Sequence, residues 1–185
     1  MKKVLLVSAM IAGLSIASFT ASANKKHTIS LGYAQTSMTL KVMANNEKPS
    51  KDPRGLNLKY RYEINDNWGV IGSVTQTKLN LYYAPKPVNK KGRNADESIT
   101  YSSVMAGSTY RFNDYISGYT LLGVANIKDH QKTLSNTTEK KTALAYGAGL
   151  QFNPISNVAV DVAYEYSHLK QAKAGTWMVG VGYRF

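Results

Sequence analysis

One segment of the sequence alternates strictly between apolar and polar residues, and this pattern constrains the fold more than any other feature. Leucine, tyrosine and isoleucine occupy every second position from Leu56 to Ile64, and most residues between them are charged. A period of two is typical of a β-strand with one apolar and one polar face. The apolar face covers a core in a soluble sandwich, whereas in a membrane barrel it contacts lipid and the polar face lines the lumen. This segment alone leaves both folds open.

The same period recurs along the chain and predicts eight strands in all. An even number of strands is typical of single-chain bacterial barrels. Strand 115–125 cannot be oriented, because both of its faces carry apolar or small residues. The other predicted strands lie around Ile29–Tyr33, Leu56–Ile64, Trp68–Val74, Val104–Phe112, Leu144–Phe152, Val158–Tyr166 and Trp177–Phe185.

The predicted connections alternate between short turns and long polar stretches. The short ones are rich in Asn, Asp and Pro, which favour turns. The long ones span about 39–53, 79–98, 127–141 and 168–174. Short turns at one end and long loops at the other are typical of outer-membrane barrels. The sequence therefore predicts an all-β, eight-stranded antiparallel up-and-down transmembrane β-barrel with four extracellular loops.

The N-terminus has the pattern of a cleaved secretory signal peptide. Lys2 and Lys3 precede an apolar run, and Ala21–Ala23 is a small-x-small cleavage site. We expect residues 1–23 to be removed and residues 24–185 to form the barrel. No later apolar run is long enough for a transmembrane helix, and the sequence contains no cysteine.

The final predicted strand is aromatic and apolar on one face. A strand of this kind ending in Phe resembles the C-terminal signal that the barrel assembly machinery recognises. Aromatic pairs at the ends of other strands, such as Tyr60 with Tyr62, predict a girdle at the periplasmic interface. The residues that form the predicted signal are Trp177, Val179, Val181, Tyr183 and Phe185.

Several motifs resemble one known family. The segments Gly32–Gln35, Arg54–Glu63, Gly147–Pro154, Val160–Glu165 and Gly180–Phe185 are similar to those of the Ail/Lom (OmpX-like) outer-membrane proteins. This resemblance implies a monomeric barrel with a filled lumen, located in the Gram-negative outer membrane, which it crosses several times. Several members are adhesins, invasins or serum-resistance factors that bind host matrix proteins or complement regulators. The resemblance does not extend to the long loops, so it identifies no partner.

Seven charged residues are predicted to face the lumen, where they form either a polar channel or a salt-bridged plug. We favour the plug, because an eight-stranded barrel is just wide enough for its own side chains and buried charges must be paired. We expect Asp161 and Glu165 to pair with the arginines. The seven residues are Lys59, Arg61, Glu63, Arg111, Asp161, Glu165 and Arg184.

No catalytic, cofactor or metal site is predicted. His27, His130 and His168 have no partners at metal-ligand spacing, and Ser167 beside His168 does not make a catalytic triad. We therefore expect solvated surface histidines, no cofactor and no enzyme activity.

The charge of the chain points to anionic partners. The formal net charge is +12, and removal of Lys2 and Lys3 leaves +10. The four predicted loops, together with Lys78 at the stem of the second, carry +8 of this charge. Suitable partners are lipopolysaccharide, acidic glycans and host matrix or complement proteins, whereas the export signal argues against nucleic acid.

The second loop is the best candidate for contact with a partner, because interfaces favour aromatic residues beside cations. Three functions remain open at this point. The first is adhesion, invasion or serum resistance through the loops, and the second is stabilisation of the lipopolysaccharide layer. The third is a narrow pore, which bilayer conductance would test and for which we expect negligible conductance. The candidate contact residues are Tyr82, Tyr83, Lys86, Lys90, Lys91 and Arg93.

Overall fold

The structure is a computed structural model that describes residues 25–42, 45–47, 52–82, 96–131, 138–169 and 172–185. The predicted signal peptide and the second loop from position 83 to 95 lie outside these residues. No helix that could cross a membrane is found within the described residues.

Eight long antiparallel strands form a closed ring, so the predicted eight-stranded antiparallel up-and-down β-barrel is confirmed. Each long strand pairs with the next along the chain, and β9 pairs with β1. A ninth, three-residue strand, β2, folds back onto the end of β1. The strands are β1 His27–Val42, β2 Asn45–Glu47, β3 Arg54–Glu63, β4 Trp68–Tyr82, β5 Asp96–Arg111, β6 Ile116–Gln131, β7 Thr138–Ile155, β8 Val158–Leu169 and β9 Ala172–Arg184.

The seam between β1 and β9 closes the barrel. The two strands are in register from Thr28 with Arg184 to Leu40 with Ala172. At its end the backbone amides and carbonyls of His27 and Phe185 exchange two hydrogen bonds of 2.9 Å. Closure leaves no open edge in the transmembrane sheet, as a lipid environment requires.

Tight turns join the strands at one end of the barrel, which we call the turn end; the opposite end is the loop end. The Asn65 side-chain oxygen accepts hydrogen bonds from the backbone N–H groups of Asn67 and Trp68, at 3.1 and 2.7 Å. Asn113 does the same for Tyr115 and Ile116, at 2.9 and 2.8 Å. These asparagines reproduce a backbone turn with a side chain, which explains why turn residues predict the connections well.

Burial alternates along the strands and orients β6, which the sequence left open. Tyr119, Leu121 and Ala125 are buried in the lumen, whereas Leu122 is 59% exposed on the outer surface and Val124 lies beside it on that face. The lumen of this barrel thus accepts apolar residues at some levels, and for this reason the pattern of residues 115–125 does not distinguish the faces.

Aromatic rings gather on the outer surface at the turn end, where the girdle is predicted. Trp68 and Tyr110 pack edge to face with ring centroids 4.9 Å apart. His27 stacks on Phe185 at 5.6 Å, and a 2.7 Å hydrogen bond joins its Nδ1 to the Tyr60 hydroxyl. His27 is therefore a half-buried member of the girdle rather than the solvated histidine that we expected.

At the loop end the strands continue into the ranges predicted as loops. β4 runs to Tyr82 and β5 begins at Asp96, inside the predicted loop 79–98. β6 and β7 likewise enter 127–141, β8 and β9 enter 168–174, and 39–53 contains the end of β1 and all of β2. Most residues of these strand ends are polar, which hides the alternation, because beyond the membrane a strand needs no apolar face. On β4, however, Leu79 and Leu81 alternate with polar residues inside the predicted loop.

We predict that Leu122→Arg destabilises the barrel by about 2–4 kcal/mol, because a charged side chain on the lipid face is poorly solvated near the middle of a bilayer. Urea unfolding in phospholipid vesicles measures this difference. Leu122→Ala is the matched control and should cost much less. Equal stability of the Arg and Ala variants would contradict the lipid-facing assignment.

Candidate functional site

The lumen holds all seven charged residues that the sequence places there. Lys59, Arg61, Glu63, Asp161 and Glu165 are buried. Arg111 and Arg184 are partly exposed near the turn end, with 13% and 12% of their side chains accessible. The seven residues separate into three levels along the barrel axis, each with its own partners.

The middle level is an ion pair between Lys59 and Asp161, whose exposed fractions are 3% and 1%. The Tyr119 hydroxyl also donates a hydrogen bond to Asp161, at 3.3 Å. The Tyr119 ring lies over Gly149, and even a methyl group at position 149 would overlap with it. Glycine at position 149 therefore leaves the space that the Tyr119 ring occupies in the lumen.

The level nearer the loop end contains Glu165, which accepts a hydrogen bond from the Tyr101 hydroxyl. Thr75 donates a longer bond to the same carboxylate, at 3.4 Å. The Asn57 amide bonds Ser73 and Thr75 at 2.9 and 3.0 Å. Sequence reasoning missed Tyr101, although its position in phase with Ser103 and Met105 on β5 could have indicated an inward tyrosine.

The level at the turn end has one carboxylate and three guanidinium groups. Glu63 accepts hydrogen bonds from Arg111 and from Arg184, the latter at 2.8 Å, and lies 3.3 Å from Arg61. The expected pairing of Asp161 and Glu165 with arginines is wrong. The three arginines lie at the turn end with Glu63, whereas the two acids lie at the levels of Lys59 and Tyr101.

These contacts describe a packed polar plug without an evident reactive group. Within the described residues, no three or more histidine, aspartate or glutamate side chains form a group that could hold a metal ion. The acids and tyrosines are engaged with one another or with cations. Most charged side chains of the lumen thus have a partner within it, and the two ends of the barrel differ in their exposed residues.

At the loop end, the four strands β4–β7 extend beyond β3 and β8 as a continuation of the barrel sheet. β4 pairs with β3 only as far as Lys78 and continues to Tyr82 paired with β5. Among the described residues, Thr138–Leu144 of β7 pair with β6 alone. β7 has 18 residues, whereas about 9–11 suffice to cross a bilayer. We call the segment of β4 after Lys78 and the segment of β7 up to Leu144, together with the residues of β5 and β6 that pair with them, the extended sheet.

Cationic residues occupy one row across the base of the extended sheet, which we call the cationic row. Arg54 is in register with Lys78, Lys78 with Thr100, Thr100 with Lys128, and Lys128 with Lys140. Arg54 and Lys78 are exposed on the outer surface. Adjacent strands lie about 4.8 Å apart, so the row spans roughly 19 Å.

The comparisons with known proteins agree with this architecture. Residues 6–185 match the model of the outer membrane protein beta-barrel domain. The attachment invasion locus protein of Yersinia pseudotuberculosis is 47% identical, over 100% of this chain and 98% of its own length. The chain belongs to the Ail/OmpX family of outer-membrane β-barrel proteins. Outer membrane protein X of Escherichia coli K12 is 39% identical over the full length of both chains.

A solved Ail structure has the same fold and contains a bound ligand. The crystal structure of Ail from Yersinia pestis, in complex with the heparin analogue sucrose octasulfate, aligns with a TM-score of 0.75 at 45% identity. The alignment covers 86% of this chain and 98% of that one. Like its Ail/OmpX relatives, the protein is an outer-membrane protein, and it crosses the membrane with eight strands.

The remaining candidate residues of this Ail/OmpX barrel lie in or beside the loop end. Tyr82 ends β4 in register with Asp96, and the other five contact residues predicted in the second loop lie outside the described part of the chain. His130 is in register with Thr138 on β7. His168 is exposed at the loop end of β8, edge-on to Tyr166 with ring centroids 6.5 Å apart.

The last strand places its predicted signal residues on the outer surface. Trp177, Val179, Val181 and Tyr183 are exposed there, and Trp177 packs against Tyr164 at 4.9 Å. Met178 and Gly180 between them are buried on the lumen side. The role of this strand in recognition by the assembly machinery stays a prediction.

We predict that Lys59→Met costs about 3–5 kcal/mol of unfolding free energy, because it leaves the buried Asp161 carboxylate without its cation. Adding Asp161→Asn should recover at least about 1 kcal/mol, since the neutral amide no longer needs that cation. A double-mutant cycle by urea unfolding in vesicles measures both values. Additive losses would show that the two side chains do not interact.

Proposed function

We propose that this Ail-type barrel is a surface adhesin that binds sulfated or otherwise acidic glycans at its loop end. The observation that carries the proposal is the cationic row, which aligns Arg54, Lys78, Lys128 and Lys140 across five neighbouring strands. A rigid sheet fixes the spacing of these positions before a ligand arrives, which lowers the entropic cost of binding a repetitive polyanion.

The distribution of charge along the chain also favours the loop end as the binding surface for an anionic ligand. In the described turns the charged residues are Asp66 and Asp114, whereas the four loops and their stems contain most of the excess positive charge of the chain. We place the loop end outside the cell, because short turns face the periplasm in barrels of this class. An anionic chain would thus meet a positive surface on approach, and its encounter rate would rise.

The related Ail of Yersinia pestis has been crystallised with a heparin analogue. A sulfated ligand in a relative that is 45% identical makes glycan sulfates the first class of ligand to test here. Host matrix or complement proteins would then be secondary partners, held by their own acidic surfaces or attached glycans. Invasion or serum resistance would follow from such attachment, and no catalytic step is involved.

The second loop is proposed to extend this surface. It leaves the extended sheet after Tyr82 and returns at Asp96, so it begins within the same group of strands as the cationic row. Its sequence combines cations with tyrosines, a composition that suits contact residues. The residues concerned are Tyr82, Tyr83, Lys86, Lys90, Lys91 and Arg93.

We predict that Lys128→Ser with Lys140→Ser weakens binding to immobilised heparin about tenfold, which corresponds to ~1.4 kcal/mol. The matched control is Lys25→Ser with Lys26→Ser, which removes the same charge at the turn end. Binding isotherms of the refolded barrel in detergent, at fixed salt, compare the two. Equal weakening by both pairs would mean that net charge, and not the row, determines binding.

We predict that serine at Lys86, Lys90, Lys91 and Arg93 reduces the attachment of bacteria to host cells by several-fold. The chain is expressed in a non-adherent strain, and attachment and serum survival are scored against equal surface levels of the parent protein. If the parent confers attachment and the variant retains it fully, the second loop is not the contact surface. If the parent confers neither property, the adhesin proposal fails.

A second candidate function is stabilisation of the lipopolysaccharide layer. The observation in its favour is the pairing of exposed His168 with exposed Lys173 at the loop end, beside the outward tyrosines of β8. Aromatic rings at an interface next to cations suit a lipid with phosphate groups. This function would appear as increased sensitivity to detergent when the gene is deleted, without any change in host-cell attachment.

A further inference from the structure

The turn-end level of the lumen has more positive charge than its protein partners balance. Arg61, Arg111 and Arg184 share the single carboxylate of Glu63. Asp161, the next acid along the axis, is already paired with Lys59 and bonded by Tyr119. Counting the described lumen side chains alone, this level carries a formal excess of two positive charges inside a narrow barrel.

Arg61 is the least satisfied of the three. Its exposed fraction is 2%, yet none of its three guanidinium nitrogens makes a hydrogen bond to any described residue. Its contact with Glu63 at 3.3 Å is an ion pair without hydrogen-bond geometry. Both Glu63 oxygens already accept bonds from Arg111 and Arg184.

This arrangement is costly unless another group compensates for it. Buried polar groups are almost always hydrogen-bonded, and a buried charge without a counter-charge is strongly disfavoured. The Nε of Arg111 is also buried without a hydrogen-bond partner among the described residues. Water could satisfy N–H donors, but it supplies no negative charge against three neighbouring guanidinium groups.

We propose that the turn end of the lumen binds one small inorganic anion, of the size of chloride or phosphate, through Arg61 and Arg111. Guanidinium groups suit this ligand class because their N–H donors converge on halides and oxyanions. The anion enters from the turn end, where Arg111 and Arg184 are partly exposed, and stops at the Lys59–Asp161 level. The site is separate from the glycan surface at the loop end.

Such an anion would be a structural component of the plug. It would reduce the excess charge and hold Arg61 in the centre of the lumen. Because it contacts arginines from both β3 and β5, it would also link two strands of the wall that are separated by β4. The barrel should then unfold at a higher temperature when a small anion is present, and this dependence should saturate.

The test compares the thermal unfolding midpoint of the refolded parent barrel in sodium chloride, sodium phosphate and sodium gluconate at equal ionic strength. Gluconate is too large for the filled lumen and controls for screening. We expect chloride or phosphate to raise the midpoint by about 4 °C with a saturable dependence on concentration. Arg61→Met should abolish the rise, whereas Lys78→Met, which removes an outward cation, should retain it.

A second measurement does not depend on the folding of any variant. Crystals of the parent barrel are grown in bromide, and anomalous scattering locates the ion. A peak within hydrogen-bond distance of Arg61 or Arg111 supports the proposal. The proposal is overturned if chloride, phosphate and gluconate give the same midpoint, if Arg61→Met keeps the saturable rise, or if bromide gives no peak at the turn end.

Discussion

Desolvation of charge inside the barrel is the constraint on which the rest of the structure depends. The polar face of each strand is turned away from lipid, but eight strands enclose a space that side chains fill and bulk water does not. Each charged side chain in that space consequently needs an ion-pair or hydrogen-bond partner at the same level along the barrel axis. Lys59 and Asp161 meet this requirement with an ion pair, Glu165 is held by hydrogen bonds from the neutral Tyr101 and Thr75, and the arginines around Glu63 meet it only in part.

The same constraint divides the molecule into surfaces with different freedom to vary. The lipid face must stay apolar, and the lumen face must keep its volumes and its charge pairs. Barrel closure no longer constrains β4 to β7 where they pass beyond β3 and β8, because β4 and β7 each pair with one neighbour there. Residues at the loop end can thus vary to fit a ligand without disturbing the barrel, and this freedom suits a binding surface.

The sequence predicts the strands and the closed barrel well, because a lipid face and a polar lumen impose a strong period of two on segments such as Leu56–Ile64. It does not orient residues 115–125, since Tyr119 and Leu121 fill the lumen as apolar residues do on the lipid side. It also cannot pair Asp161, because ion pairing depends on strand stagger, which alternation alone does not specify. The loop end is the least predictable part, because most of its residues are polar and the alternation is therefore weak.

The seam between β1 and β9 has a consequence for the order of assembly. Leu40 pairs with Ala172 and Thr28 with Arg184, so every bond of the seam joins positions separated by most of the chain. The other long strands can form one hairpin after another, but the ring cannot close before β9 has been made and exported. Until the seam forms, β1 and the last strand that has joined the sheet are two open edges, which readily pair with other strands. A temporary partner that covers these edges would guide closure, and slow closure would expose the sheet to aggregation.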